Sequence, residues 1–289
     1  MALPDEWTDD TVSVDDTALQ YYRTGEGPPI VMAHGMFDHG RRWVPLAERL
    51  AEDYEVIAYD ARGHGRSDAP ETGYDIDTRV VDLLGVLDGL DVDDPVLFGH
   101  SMGAATVAWA AATHPDVPRG VVLVDPSRLH GGPDVDVEEA AEIARQRLRE
   151  SQSTPIEERI EDLVSHPEID REHAERLAAA DDECSPHVGN LAQEHPPVRE
   201  AFDDIVAPTL LLRRDVDDEQ RSRDRRAAGR LADGQLVHVD DAGHYVTRDA
   251  LTARAGERVR AKRGPRARTA RGPRERSERG LVRACSDGG

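Results

Sequence analysis

Val96-Leu97-Phe98-Gly99-His100-Ser101-Met102-Gly103-Ala104-Ala105 is the stretch whose reading decides the fold. An apolar run of strand type meets Gly-His-Ser-Met-Gly, and small residues at helical spacing follow (Ala104, Ala105, Val107, Ala108, Ala110). Strand, sharp turn and helix are the setting that gives G-x-S-x-G its meaning as a nucleophile elbow. So tight a turn holds the serine in strained backbone, and a side chain at Gly99 or Gly103 would collide with the neighbouring strand or helix. The Ser101 hydroxyl is lifted clear of the sheet, and the Met102 amide at the helix start faces any oxyanion that forms. A chance match in a Gly-rich chain is the bland alternative, and the flanking strand and helix weigh against it.

Upstream, residues 11–14 and 19–23 alternate apolar and polar around Asp15-Asp16-Thr17, the pattern of an opening hairpin. Residues 29–33 and 55–59 are short apolar runs. The first ends at His34-Gly35-Met36-Phe37-Asp38, the second at Asp60-Ala61-Arg62-Gly63-His64-Gly65-Arg66-Ser67. Helical spacing over 42–51 and over 77–90 separates these strands from each other and from the elbow. A further strand over 120–124 ends at Asp125. Near-continuous apolar strands alternating with helices predict a parallel sheet covered on both faces, with chemistry at the carboxyl ends of its strands. His34-Gly35, Asp60, Ser101 and Asp125 all follow strand ends.

The rhythm breaks over 127–205, which is rich in Glu, Arg and Ala at helical spacing. This predicts a helical insertion over the strand ends, a cap; a helical excursion packed at the side is the alternative. Strand, helix and strand then resume at 209–212, 219–231 and 236–239, leading to Asp241-Ala242-Gly243-His244. The expected organisation is a core of 1–126 and 206–247, a cap of 127–205 and a tail of 248–289.

Charge bounds the partners. Of 289 residues, 58 are acidic and 36 basic, a net charge of −22. Residues 1–247 hold 53 acidic and 23 basic side chains, and residues 248–289 hold 5 and 13. Lys262 is the single lysine. The acidic, lysine-poor composition resembles that of proteins from salt-loving, haloarchaeal-like organisms, whose surface carboxylates hold water; an acidic face for a cationic partner is the alternative. Phosphate would be repelled by residues 1–247, so no nucleic acid is expected as a partner of the body. Cys184 and Cys285 offer neither a disulfide framework nor metal spacing. Met1-Ala-Leu-Pro-Asp-Glu lacks a basic stretch followed by an apolar run, and no window approaches the ~20 apolar residues of a membrane span. A soluble, cytoplasmic protein with no membrane partner is expected; oligomeric state is not legible.

From about residue 10 to 247 the pattern resembles the α/β-hydrolase family. His34-Gly35-Met36, Asp60-x-Arg62-Gly63-His64-Gly65-x-Ser67, the elbow and Ala242-Gly243-His244 carry the likeness, in the order serine, acid, histidine. The resemblance implies an α/β fold with a helical cap and a Ser-Asp-His triad. Ser101 needs a base, because its hydroxyl is a very weak acid. His244 follows the last strand in the family's Gly-His position, whereas the side chain of His100 should leave the turn in another direction. His64 sits in a structural Gly-rich loop, and His166, His173, His187 and His195 lie in the insertion without metal-ligand spacing. The family's placement of the acid favours Asp217, with Asp215, Asp218 and Asp125 as rivals; its work would be to hold the His244 tautomer. The resemblance also places oxyanion donors on the Met36 and Met102 amides. Met36, Phe37, Met102 and Tyr245 suggest an apolar pocket, and an Asp60–Arg62 ion pair is expected to pin its own loop. A serine in place of aspartate argues against epoxide hydrolase and dehalogenase chemistry. Without Lys-Ser/Thr after Gly63/Gly65 there is no phosphate loop, and no cofactor is implied.

The activity so implied is cleavage of an ester, thioester or lactone of a small to medium apolar acyl compound, a small-molecule substrate, through an acyl-enzyme. Residues 73–78 also look like the cofactor-free haloperoxidase and perhydrolase branch. Carbon–carbon bond hydrolysis of ring-cleavage products is a second enzymatic alternative, and a ligand receptor on the same fold a non-enzymatic one. The tail departs from the family: Leu251, Ala255 and Val259 make a thin stripe, and Arg-Gly-Pro-Arg recurs at 263–266 and 271–274. A disordered tail folding back on the acidic body, a nucleic-acid-binding tail and a frame-shifted terminus all account for it; the joint change of charge and periodicity favours the last.

Overall fold

The chain opens in a hairpin of β1 (Thr8–Val14) and β2 (Thr17–Thr24), turned through Asp15 at a φ of +49°. The computed structural model describes residues 3–132, 136–166, 169, 171–192 and 196–247. The tail expectations, with Lys262 and Cys285, and that for His195 lie outside the described residues. Strands β3 (Pro29–Ala33), β4 (Glu55–Tyr59), β5 (Val96–His100), β6 (Gly120–Val124), β7 (Thr209–Arg213) and β8 (Gly234–His238) complete one eight-stranded sheet. Its order is β1-β2-β4-β3-β5-β6-β7-β8. The pairs β1–β2 and β2–β4 are antiparallel and every other pair is parallel.

Neighbouring residues of the central strands feed opposite faces, as the two-residue period of a strand requires. Val31, Ile57, Leu97 and Leu123 enter one core cluster, while Met32, Ala58, Phe98 and Val124 enter the other. After β3 come a 3-10 turn (Gly40–Trp43) and α1 (Val44–Leu50), where Trp43, Val44 and Ala47 cover the second face. The first face is covered by α2 (Ile76–Gly89) and α3 (Met102–Thr113). Asp75 caps α2, its carboxylate accepting the Thr78 N–H at 2.8 Å. Burying each large side chain contributes roughly 1.5–3 kcal/mol, so the two-sided core fixes where the strand ends lie.

Between β6 and β7 run α4 (Val137–Ser153), α5 (Ile156–Val164), α6 (Arg171–Asp182) and a 3-10 segment (Pro186–Ala192). These helices are tied to the loops that leave β3 and β4. Arg41 pairs with Glu183, and the ring Nε2 of His39 bonds the Arg176 carbonyl at 2.9 Å. Ser185 N–H donates to the Gly63 carbonyl at 2.8 Å, and Asn190 Nδ2 to that of Glu71 at 3.0 Å. The insertion therefore sits on the carboxyl edge of the sheet. It is shorter than 127–205. Leu129, Val198, Ala201, Phe202 and Ile205 belong to the main core cluster, because the second 3-10 segment (Val198–Asp203) packs against α3 and closes the sheet face before β7 begins. From β7 the chain continues through α7 (Asp218–Ala228) into β8. Among the described residues no helix is long and apolar enough to cross a membrane.

Candidate active site

Ser101 lies between β5 and α3 at φ +52°, a left-handed conformation that L-residues adopt at a cost. Three backbone bonds hold it there. Ser101 N–H donates to the Val124 carbonyl at 2.9 Å, and the Ser101 carbonyl accepts the N–H groups of Ala105 and Ser127 at 3.1 Å each. The two glycines of the motif are both sterically required. A Cβ on Gly99 would stand 2.4 Å from the Gly103 carbonyl oxygen, and one on Gly103 would stand 2.3 Å from that of Ala33. A third close approach involves Gly35, whose added Cβ would meet the Ser101 Cβ at 3.3 Å and His100 Nδ1 at 2.9 Å. The loop after β3 thus lies directly on the Ser101 turn, which brings Met36 to it.

That loop is pinned from below by His34. Its Nε2 accepts the Ala61 N–H at 2.9 Å, so the ring proton is on Nδ1 and is donated to the Gly35 carbonyl at 2.7 Å. Burial pulls the His34 imidazole down to about 4, so it is neutral at pH 7. Burial likewise takes His39 and His64 to about 3.

His244 Nδ1 lies 2.6 Å from Asp125 Oδ2. Asp125 is 2% exposed, directly after β6, at φ +40°, and its N–H is held by the Leu212 carbonyl at 2.8 Å. The expectation that Asp217 would meet His244 is therefore corrected. Asp217 is the N-cap of α7, its carboxylate accepting the Gln220 N–H at 2.8 Å. Asp215 is turned to Arg221 and to the Asp241 N–H, and Asp218 is an exposed first-turn residue of α7. Asp217-x-x-Gln220 is a capping signature that could have been read in the sequence.

His100, set aside on the sequence, has a place beside His244. Arg42 can only donate, so its Nη1 at 3.2 Å makes His100 Nδ1 an acceptor. The ring proton is then on Nε2, which donates to the His244 carbonyl at 2.9 Å. The His100 and His244 rings lie 4.7 Å apart. Arg42 pairs with buried Asp38 and stacks on Trp43 and Tyr245, at 4.8 and 5.0 Å from their ring centres. Tyr245 thus spends a face on Arg42. Phe37 and Met36 pack on Tyr74, Leu148, Cys184 and Val188, an apolar cluster shared by the core loops and the insertion.

The expected Asp60–Arg62 pair does not form. Arg62 reaches α2 and grips Asp82 with two hydrogen bonds of 2.6 and 2.5 Å. Asp60 is fully buried and accepts from Tyr22 Oη (2.8 Å), Gly40 N–H (2.6 Å) and Arg66 N–H (2.8 Å). Burial raises its carboxyl to about 6 in spite of those donors. Each of the two side chains finds its own partner, one in β2 and the loops beside it, the other in α2.

The family profile described as "Alpha/beta hydrolase family" matches residues 30–259. The chain belongs to the alpha/beta hydrolase family. Over 114 residues it is 38% identical to a 2-(acetamidomethylene)succinate hydrolase of Mesorhizobium japonicum, covering 39% of this chain and 41% of that protein. Over 119 residues it is 37% identical to a non-heme chloroperoxidase of Streptomyces lividans, covering 39% and 43%. The chain thus spans about two-fifths of the length of these curated relatives. Among solved structures it is similar to Est816, described as an N-acyl homoserine lactone degrading enzyme, with a TM-score of 0.68 and 26% identity over 87% of this chain and 99% of that one. This alpha/beta hydrolase carries a strained serine, a buried aspartate and a histidine at the carboxyl ends of β5 and β6 and in the loop beyond β8.

Proposed function

We propose that the protein is a serine hydrolase whose triad is Ser101, His244 and Asp125. The observation that carries the reading is the 2.6 Å contact of His244 Nδ1 with buried Asp125, at the same sheet edge as the strained Ser101 turn. Asp125 accepts the Nδ1 proton and leaves Nε2 as the base. His244 takes the Ser101 proton as Oγ attacks an acyl carbonyl, and the Met36 and Met102 amides receive the oxyanion. Met102 begins α3, so its amide has no intrahelical acceptor and stands at the positive end of the helix. The leaving group departs with the proton held on His244. Water, deprotonated by the same ring, then releases the acid and regenerates Ser101.

Met36 and Phe37, half-buried in the loop that lies on the Ser101 turn, favour an ester, thioester or lactone with a small to medium apolar acyl part. The likeness to a lactone-degrading enzyme agrees with that class. The likeness to a non-heme chloroperoxidase favours a second reading, in which hydrogen peroxide replaces water at the acyl-enzyme and yields a peracid. Both readings need the same acyl-enzyme. A fluorophosphonate probe should label the wild type at a single site, raising its intact mass, and should leave Ser101→Ala unlabelled. A folded wild type that resists the probe overturns the reading.

A further inference from the structure

Behind the triad acid lies a second set of buried charges that the chemistry above does not use. Arg213, at the end of β7, has a side chain 6% exposed and bridges two carboxylates. Its Nη1 pairs with Asp125 Oδ1, and its Nε donates to Asp224 Oδ2 at 3.0 Å. Asp224, on α7, is completely buried. It also accepts from His130 Nε2 at 2.7 Å, His238 Nε2 at 3.0 Å and Gln220 Nε2 at 2.9 Å. Although burial opposes it, the His130 hydrogen bond and the Arg213 charge hold the Asp224 carboxyl down at about 2, so it is an anion throughout the working range. Two imidazoles on one carboxylate could suggest a metal, but both spend Nε2 on Asp224, and no group of three His, Cys, Asp or Glu suited to a metal exists among the described residues.

The arrangement divides the Asp125 carboxylate between two neighbours. Oδ1 belongs to Arg213, and Oδ2 belongs to His244, with Arg214 Nε 3.7 Å away at the exposed side. We propose that Arg213 is a positioning residue of the hydrolytic site. Anchored by Asp224, it fixes the rotamer of Asp125 and sets how much negative charge that carboxylate presents to His244. The proposal rests on the reading of Ser101, His244 and Asp125 as the triad.

The charged and titratable groups facing this unit come from five places. Arg213 and Arg214 belong to the end of β7, Asp224 to α7, His130 to the segment after β6, His238 and His244 to β8 and the loop beyond it, and His100, its ring 4.7 Å from that of His244, to the end of β5. Arg213→Gln removes a cation beside Asp125, leaves the carboxylate more negative towards His244 and favours the imidazolium. Asp224→Asn removes an anion from the far side of Arg213 and does the opposite. Coulombic reasoning therefore demands shifts of opposite sign, which a merely structural role would not produce.

The test is an NMR titration of the His244 ring protons, assigned by their loss in His244→Gln, together with the pH profile of the fluorophosphonate labelling rate. Arg213→Gln should move both midpoints up by about one pH unit, and Asp224→Asn should move both down by a smaller amount. Arg213→Lys keeps a charge but cannot bridge both carboxylates. It should titrate near the wild type while labelling roughly tenfold more slowly. Shifts of the same sign, or none, overturn the proposal. If Arg213→Gln does not fold, Asp224→Asn and Arg213→Lys still decide it. Because the titration needs no substrate, loss of labelling with intact opposite shifts would sink the hydrolase reading alone.

Discussion

Asp125→Asn should slow both probe labelling and ester turnover on the order of 10⁴-fold, while Asp217→Ala should leave them unchanged within about a factor of two. A neutral amide at position 125 could not hold the Nδ1 proton as an anion does, so the wrong nitrogen of His244 would face Ser101. The Asp217 carboxylate is engaged elsewhere, accepting the Gln220 N–H at the start of α7. Its loss should instead cost about 1 kcal/mol of stability, the usual worth of an N-cap. Initial rates on a p-nitrophenyl ester, with urea unfolding of the same samples, separate the two effects. A dead Asp217→Ala beside an active Asp125→Asn would return the acid to the loop after β7.

The second large effect is on stability, and it appears on acidification. His34, His39 and His64 titrate at about 4, 3 and 3 in the fold, against 6.5 for a free imidazole. Below pH 6.5 the unfolded chain therefore takes up protons that the native state refuses, so stability falls as pH falls. At pH 5 each ring contributes a loss of about 2 kcal/mol, together about 6 kcal/mol. Asp60 acts in the other direction. Its folded value of about 6 exceeds the free 3.8, so the native state binds the extra proton and regains about 1 kcal/mol by pH 5. The net loss is comparable to the whole stability of an ordinary domain. Urea midpoints by tryptophan fluorescence at pH 7, 6 and 5 should therefore decline steeply, and equal midpoints at pH 7 and 5 would refute the argument. His39→Gln should flatten the slope, because its amide can still donate to the Arg176 carbonyl without titrating.

The parts of this molecule that were legible in the sequence are those governed by local rules. Apolar runs gave the parallel strands, and glycines too close to a carbonyl for any Cβ gave the elbow at Ser101. His244 was singled out by its position after the last strand. The partner of that histidine is different, because Asp125 and Asp217 both stand just beyond a strand end and only the packing of β6 beside β5 distinguishes them. His100 and Arg42 were illegible for a similar reason. Their bond joins residues 58 positions apart, and the carbonyl that His100 holds is 144 positions away. Asp60 and Arg62 misled because they are neighbours in sequence whose partners, Tyr22 and Asp82, are not. The short 3-10 segment at Val198–Asp203 falls within the expected cap because no strand pattern resumes before residue 209, yet Phe202 is fully buried in the sheet's core.

Ser101 and Asp125 both precede the insertion between β6 and β7, on adjacent strands already stitched together by the Ser101 N–H to Val124 bond. Only His244 comes after it. Synthesis therefore completes the Ser101 turn, the Asp125 anchor and the whole insertion before His244, the base of the proposed triad, is made. On the proposed triad, the serine gains its base only once the chain has passed β8, the last strand of the sheet.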